Sequence, residues 1–208
     1  MLFDVEKIHR GKVTCTVEKV ANFVPNMIDT ILLPTITGQA GYDKDSIKLT
    51  TNVADSELYA CGFETFEFNM SEALGAEFTV EGLKGLNGYY NMTVIMSDDA
   101  GNEIKLYTTD MTGTETRIST TISAVTADTV LIEKHNISGN PYCYYNFTLK
   151  MDKQFGRVSL LHNGQIFGYA DVKNLTVFGK SKFAVKITHA NNGGKSVTIR
   201  QVKIRIDY

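Results

Sequence analysis

From about residue 46 to the C-terminus, apolar and polar residues alternate in short stretches separated by glycine, asparagine and aspartate. A period of two is typical of half-buried β-strands. Phe147 and Leu149 alternate with Asn146, Thr148 and Lys150 in the clearest case. Roughly ten such stretches, with no long helical pattern between them, predict an antiparallel all-β sandwich of jelly-roll type over residues 46–208.

The turn residues and the last strand refine this prediction. His162-Asn163-Gly164 and the segment 191–194 (Asn-Asn-Gly-Gly) supply the positive-φ residues of tight hairpins. The apolar set of the last strand changes parity between Ile199 and Val202. A β-bulge near Arg200 and Gln201 would restore the register.

Residues 1–45 follow a different pattern. Apolar residues from Val17 to Leu32 fall on one helical face, and Pro25 interrupts any continuous helix there. We therefore expect a short N-terminal arm, irregular or partly helical, that packs on the sandwich or on a neighbouring subunit.

The apolar phase of the strands predicts the core. We expect eight residues to be buried there: Phe147, Leu149, Val158, Leu160, Val185, Ile187, Ile204 and Ile206.

Composition and charge exclude several classes of function. A formal net charge of -2 and a pI near 6.1 give no attraction for phosphate backbones or anionic membranes, so we expect neither nucleic acid binding nor membrane insertion. No apolar stretch is long enough to span a bilayer, and Asp4 and Glu6 stand where a signal peptide would be basic and then apolar. Three widely spaced cysteines predict neither a disulfide framework nor a zinc site, and no cofactor is expected.

The C-terminal third, Tyr142 to Tyr208, contains an ordered series of strands and one hairpin: 144–150, 158–161, the hairpin 162–165, 183–187 and 197–206. This series resembles the concanavalin A-like lectin and glucanase superfamily, including its laminin-G-like modules. The resemblance implies a lectin-like β-sandwich, and it supports fold more than function.

The sequence lacks the motifs of a catalytic centre. The glucanases of that superfamily use a Glu-x-Asp-x-Glu strand, which is missing here, and Glu64 and Glu67 would point to opposite faces of a strand. No Gly-x-Ser-x-Gly sequence occurs. The acidic segment Ser97 to Glu103 is better explained as a hairpin turn than as a calcium site. We therefore predict that the chain is not an enzyme and holds no metal.

Tyrosines beside short polar residues indicate a candidate glycan site, because sugar C–H faces stack on rings while hydroxyls need fixed polar partners. The predicted ligand-binding residues are Tyr142, Tyr144, Asn163, Tyr169 and Asp171. Strand parity directs Tyr142 and Tyr144 outward and Tyr145 toward the core. Plain strand packing of the tyrosines is the alternative.

These observations favour a non-catalytic binding or structural module. We expect a bacteriophage virion protein with a tail, receptor-binding or decoration role, whose partners are glycans or other virion and assembly proteins; a homo-oligomer is left open. The alternatives are a glycoside-acting enzyme on the same fold and an accessory glycan-binding domain of a secreted protein.

Overall fold

The computed structural model describes eleven stretches of the chain: residues 3–9, 12–22, 35–43, 46–51, 59–84, 90–112, 115–123, 129–137, 145–172, 175–189 and 194–208. Helical structure within these stretches is confined to one 3-10 turn, Leu175–Val177. No helix in the described stretches is long and apolar enough to cross a membrane.

The described residues form eighteen β-strands. In chain order they are β1 (Phe3–His9), β2 (Lys12–Asn22), β3 (Thr35–Thr37), β4 (Gln39–Asp43), β5 (Ser46–Thr50), β6 (Tyr59–Glu64), β7 (Phe68–Asn69), β8 (Gly75–Leu83), β9 (Tyr90–Asp98), β10 (Glu103–Thr112), β11 (Glu115–Ser123), β12 (Thr129–Ile137), β13 (Tyr145–Asp152), β14 (Arg157–His162), β15 (Gln165–Asp171), β16 (Lys180–His189), β17 (Ser196–Ile199) and β18 (Gln201–Asp207).

The strands are arranged in three antiparallel sheets. The seven-stranded sheet has the order β1-β2-β18-β8-β13-β14-β15, and the eight-stranded sheet has the order β12-β11-β10-β9-β16-β6-β3 with β7 beside β16. A three-stranded sheet, β17-β5-β4, completes the set. The predicted antiparallel all-β sandwich is confirmed.

The core lies between the two large sheets. Phe78 of the seven-stranded sheet stacks on Phe183 of the eight-stranded sheet, with ring centroids 4.9 Å apart, and Phe63 meets Phe78 edge to face at 6.5 Å. Such aromatic pairs add about 0.5–1.5 kcal/mol to the burial of their rings. All eight residues predicted for the core are buried, so that prediction is confirmed.

Close contact between β6 and β16 requires a glycine in β6. A Cβ atom on Gly62 would lie 1.9 Å from the carbonyl oxygen of Val185, on the neighbouring strand. No larger residue fits there without separating the two strands.

The expectation of an irregular or partly helical arm is wrong over residues 3–22. These residues form β1 and β2, and β2 pairs with β18 from Asn22↔Gln201 to Thr16↔Asp207. The stretch Val13 to Val17 is rich in β-branched residues, which favour strands. The partner strand therefore overrides the helical spacing of Val17, Val20 and Ala21, while residues 23–34, including Pro25, lie outside the described residues.

The parity change near Arg200 has a different cause from the predicted bulge. Ile199 ends β17, which pairs with β5 in the three-stranded sheet, whereas Gln201 begins β18 in the seven-stranded sheet. The chain passes from one sheet to another at the exposed Arg200. Each apolar set therefore faces its own part of the core.

Candidate functional site

The β14–β15 hairpin turns at the two predicted residues. Asn163 has φ of 49° and Gly164 has φ of 79°, and positive φ at both central positions is typical of a type I′ turn. The Asn146 backbone N–H donates to Asn163 Oδ1 at 3.2 Å, and the Asn163 N–H donates to the Asn146 carbonyl at 2.9 Å. Asn163 therefore forms the turn and holds it against β13.

A bulge in β15 decides which of its side chains reach the surface. Near the turn, Leu161 pairs with Ile166, but the next pair is Leu160 with Gly168, so Phe167 is the extra residue. One extra residue exchanges the two faces of everything beyond it. As a result, Gly168 and Ala170 are buried while Tyr169 and Asp171 are exposed.

Arg157 joins Tyr169 and Asp171 in a compact surface cluster. Its Nε donates to Asp171 Oδ1 at 2.7 Å, and its guanidinium carbon lies 4.3 Å from the centre of the Tyr169 ring. The hydrogen bond to Asp171 is the main reason why the pKa of Arg157 is raised. Tyr169 is 53% exposed, so the cluster presents an oriented aromatic ring to solvent. We call Arg157, Tyr169 and Asp171 the Tyr169 cluster.

Two rows of residues, each paired across neighbouring strands, run from the cluster over the outer face of the seven-stranded sheet. Asp152 pairs with Arg157, and Ser159 lies between Lys150 and Tyr169. The turn before β14 adds Phe155, which is 72% exposed. Lone exposed rings of this kind beside charged groups are suited to an amphipathic ligand.

The predicted site residues are only partly brought together. Tyr169 and Asp171 share one face and contact the same arginine. Asn163 lies at the other end of the hairpin, four residues beyond the partner of Tyr169, which is about 13 Å along an extended strand. Tyr142 and Tyr144 lie outside the described residues.

Sequence reasoning missed Arg157 and Phe155. The turn at Asn163 and Gly164 gives the pairing of the residues next to it, and continuing that register without the bulge would pair Tyr169 with Val158. The bulge instead pairs Arg157 with Asp171. The opposite charges of Arg157 and Asp171 were the signal in the sequence that could have revealed the shift.

The two closely spaced glutamates, Glu64 and Glu67, each contact a lysine. Glu64 accepts from Lys182 Nζ at 2.8 Å, and Glu67 forms an ion pair with Lys180. The hydrogen bond from Lys180 lowers the pKa of Glu67, so its charged form is favoured. The lowered pKa of Glu67 is the opposite of the raised pKa that a general acid needs.

The acidic segment 97–103 forms the turn between β9 and β10. Asp98 accepts from the backbone N–H groups of Ala100, Asn102 and Gly179 and from the side chain of Asn102. Partial burial raises the pKa of Asp98, but these hydrogen bonds together outweigh burial and lower it. The described residues contain no group of three or more His, Cys, Asp or Glu suited to a metal ion.

No protein-family model matches the chain, and no curated protein matches its sequence. Solved structures do match it: the Emp47p carbohydrate recognition domain has a TM-score of 0.64 at 9% identity, over 89% of this chain and 93% of that one. A β-glucanase from Bacillus licheniformis has a TM-score of 0.60 at 10% identity, over 90% and 97% of the two chains.

A third match is a module from a phage. The CBM2 module of the evolved Dit of Lactobacillus casei BL23 phage J-1 has a TM-score of 0.55 at 10% identity, over 91% of this chain and 90% of that one. Identities this low show a shared fold alone. The chain has the concanavalin A-like lectin and glucanase fold, as its C-terminal third predicted.

Proposed function

We propose that this chain is a non-catalytic glycan-binding module that binds sugar at the Tyr169 cluster. The observation that carries the proposal is an exposed tyrosine ring held in place by an arginine, which is itself fixed by Asp171. The fold supports it, since a carbohydrate recognition domain has the same architecture.

The chemistry of the cluster suits a pyranose ring. The apolar C–H face of a sugar can stack on Tyr169, a contact that should contribute on the order of 1 kcal/mol. Arg157 is a hydrogen-bond donor and Asp171 an acceptor, and their mutual contact fixes both beside the ring. Because these groups are already fixed, less conformational entropy is lost when a ligand binds.

The state of the carboxylates supports a binding role over catalysis. Glycoside hydrolysis requires two carboxyl groups about 5–9.5 Å apart on either side of the scissile bond, one of them with a raised pKa. Glu64 and Glu67 each form an ion pair with a lysine. At the Tyr169 cluster, Asp171 likewise forms an ion pair with Arg157.

A binding experiment tests the proposal directly. A glycan array identifies a ligand for the wild-type chain, and titration then compares Tyr169→Ala with the wild type. We expect binding to weaken several-fold, with little change in Tm because the ring is half exposed. Ile166→Ala removes another exposed apolar side chain of β15 and serves as the matched control.

Two results would contradict the proposal. Unchanged glycan binding in Tyr169→Ala would mean that the ring has no part in recognition. A loss of folding in Tyr169→Ala, with Ile166→Ala intact, would make Tyr169 a packing residue of the sheet.

We also propose that the module belongs to a bacteriophage virion, where its partners are glycans and other virion proteins. Support comes from the similar fold of the phage J-1 CBM2 module. Detection of the chain in purified particles by mass spectrometry would bear this out, and its presence only outside particles would contradict it.

A glycoside-acting enzyme is the second candidate, because a β-glucanase shares the fold. Prolonged incubation of the chain with its glycan ligand should release no new reducing ends. Release that is lost in Glu64→Gln or Asp171→Asn would establish the enzyme and exclude the binding module.

A further inference from the structure

We propose that the Tyr169 cluster takes a neutral glycan and discriminates against uronate-containing and sulfated glycans. This inference rests on the proposed function of the cluster and adds the class of its ligand. It follows from the charges on the sheet face and from the hydrogen-bonding groups of the cluster.

The face around the cluster carries no excess of positive charge. One row across β8, β13, β14 and β15 contains Asp152, Arg157 and Asp171, and the next contains Glu77 and Lys150. These are three carboxylates and two cationic groups, a net charge of -1.

The charged groups nearest to these rows raise the net charge only to zero, because Arg205 is balanced by Asp207 and Lys153 adds one positive charge. Farther along the second row, Arg205 pairs with its own neighbour Asp207 at 3.1 Å. Lys153 directs its Nζ to the carbonyl oxygens of Met70 and Ser71, at 2.8 and 3.1 Å. The surface therefore offers an anionic ligand no electrostatic attraction.

Arg157 already forms an ion pair with a carboxylate, which is the contact that an anionic ligand would need. Arg157 Nε donates to Asp171 Oδ1 on β15, and Asp152 is the register partner of Arg157 on β13. A carboxylate or sulfate on a sugar would have to compete with Asp171 and approach two like charges. Like-charge contact disfavours such a ligand.

Sugar hydroxyls fit the same groups without this conflict. In the described part of the chain, the contact between Arg157 and Asp171 joins Nε of the arginine to Oδ1 of the aspartate. The other guanidinium nitrogens and the second carboxylate oxygen take no part in that contact. Because a hydroxyl both donates and accepts, two adjacent hydroxyls can accept from the guanidinium and donate to the carboxylate. A neutral vicinal diol beside the Tyr169 ring is therefore the matching ligand.

The test compares oligosaccharides of equal length that differ in charge. The probes are neutral gluco-, galacto- and manno-oligosaccharides, an oligogalacturonate and a sulfated galacto-oligosaccharide, titrated into the full chain at 50 and 300 mM salt. We expect at least one neutral probe to bind at least tenfold more tightly than either acidic probe. Its affinity should be nearly independent of salt, because no charge pair forms.

One substitution tests the charge argument. Asp152→Asn removes one negative charge and leaves an amide oxygen to accept from the Phe155 N–H. It should strengthen acidic binding several-fold relative to neutral binding. Asp99→Asn, an equal change of charge in the exposed β9–β10 turn, should strengthen neither and is the matched control.

The outcomes separate the two proposals. Preferred binding of an acidic probe that weakens with salt and with Arg157→Gln would overturn this inference and leave the glycan site standing. Binding of no probe, or binding that neither Tyr169→Ala nor Arg157→Gln affects, would overturn the proposed function and this inference with it.

Discussion

The same residue type serves opposite roles on the two faces of the seven-stranded sheet. Ile204 in β18 is 2% exposed and packs in the core, whereas Ile166 in β15 is 68% exposed. Alternation along the sequence predicted Ile204 correctly because burial at a strand centre depends on local parity. The exposure of Ile166 depends on the turn and bulge beside it.

Burial should separate these two isoleucines by their effect on stability. We expect Ile204→Ala to lower the free energy of unfolding by about 2–5 kcal/mol, because it removes buried methylenes and leaves a cavity. Ile166→Ala should change it by less than about 0.5 kcal/mol, as at most exposed sites. Urea unfolding of both variants measures the difference, and equal losses would mean that β18 does not face the core.

Arg157 shows which part of the site the sequence could not supply. Its contacts with Asp171 and Tyr169 cross between strands, and they exist only in the register that the bulge sets. The tyrosine and the aspartate were recognisable from their residue types, whereas unbroken strand parity would have directed both toward the core. The partner that fixes them depends on the register of β14 and β15 beyond the bulge, which the alternation of apolar and polar residues does not encode.

At the scale of the element, the β14–β15 hairpin combines a predictable turn with an unpredictable bulge. Asn163 and Gly164 specify the turn by their positive φ, so the hairpin was evident in the sequence. Gly168 follows the extra residue Phe167, but one glycine inside a strand is too weak a sign to place a bulge. Its physical reason is the core: with the extra residue, the small Gly168 and Ala170 face inward.

Deletion of Phe167 should therefore remove the candidate site. Without the extra residue, Tyr169 and Asp171 would turn toward the core, so we expect glycan binding to be lost and stability to fall. Phe167→Ala keeps the number of residues and hence the register, and it should retain binding. Titration with the array ligand checks both variants, and full binding by the deletion variant would show that the bulge does not position the cluster.

At the scale of the whole molecule, the sandwich was predictable and the contribution of the N-terminus was not. Strand alternation and turn residues recur throughout residues 46–208, so several independent signals indicated the same architecture. The first 22 residues have a mixed pattern that pairing with β18 resolves in favour of strands. The switch of sheets at Arg200 left a mark in the sequence, the parity change, but its cause lies in the packing of three sheets.

Pairing of β2 with β18 predicts what removal of the N-terminus would do. Deleting residues 1–22 takes away β1 and β2 and leaves β18 at the edge of the seven-stranded sheet. An uncovered edge strand loses its hydrogen-bonding partner and becomes a template for association with other chains. We therefore expect a lower Tm and self-association. A loss of about 3 kcal/mol corresponds to about 6–12 °C for a chain of this size.

A shorter deletion is the control for this prediction. Removing residues 1–9 takes away β1 alone and leaves β2 paired with β18, so the edge of β18 stays covered. The uncovered edge is then β2, whereas β18 keeps both of its neighbours, so we expect a smaller fall in Tm and no more self-association than in the longer deletion. Thermal unfolding and light scattering measure both properties for the two variants. If the longer deletion were as stable and as monodisperse as the full chain, β2 would contribute nothing to the stability of the sheet, and its pairing with β18 would be no part of the cooperative fold.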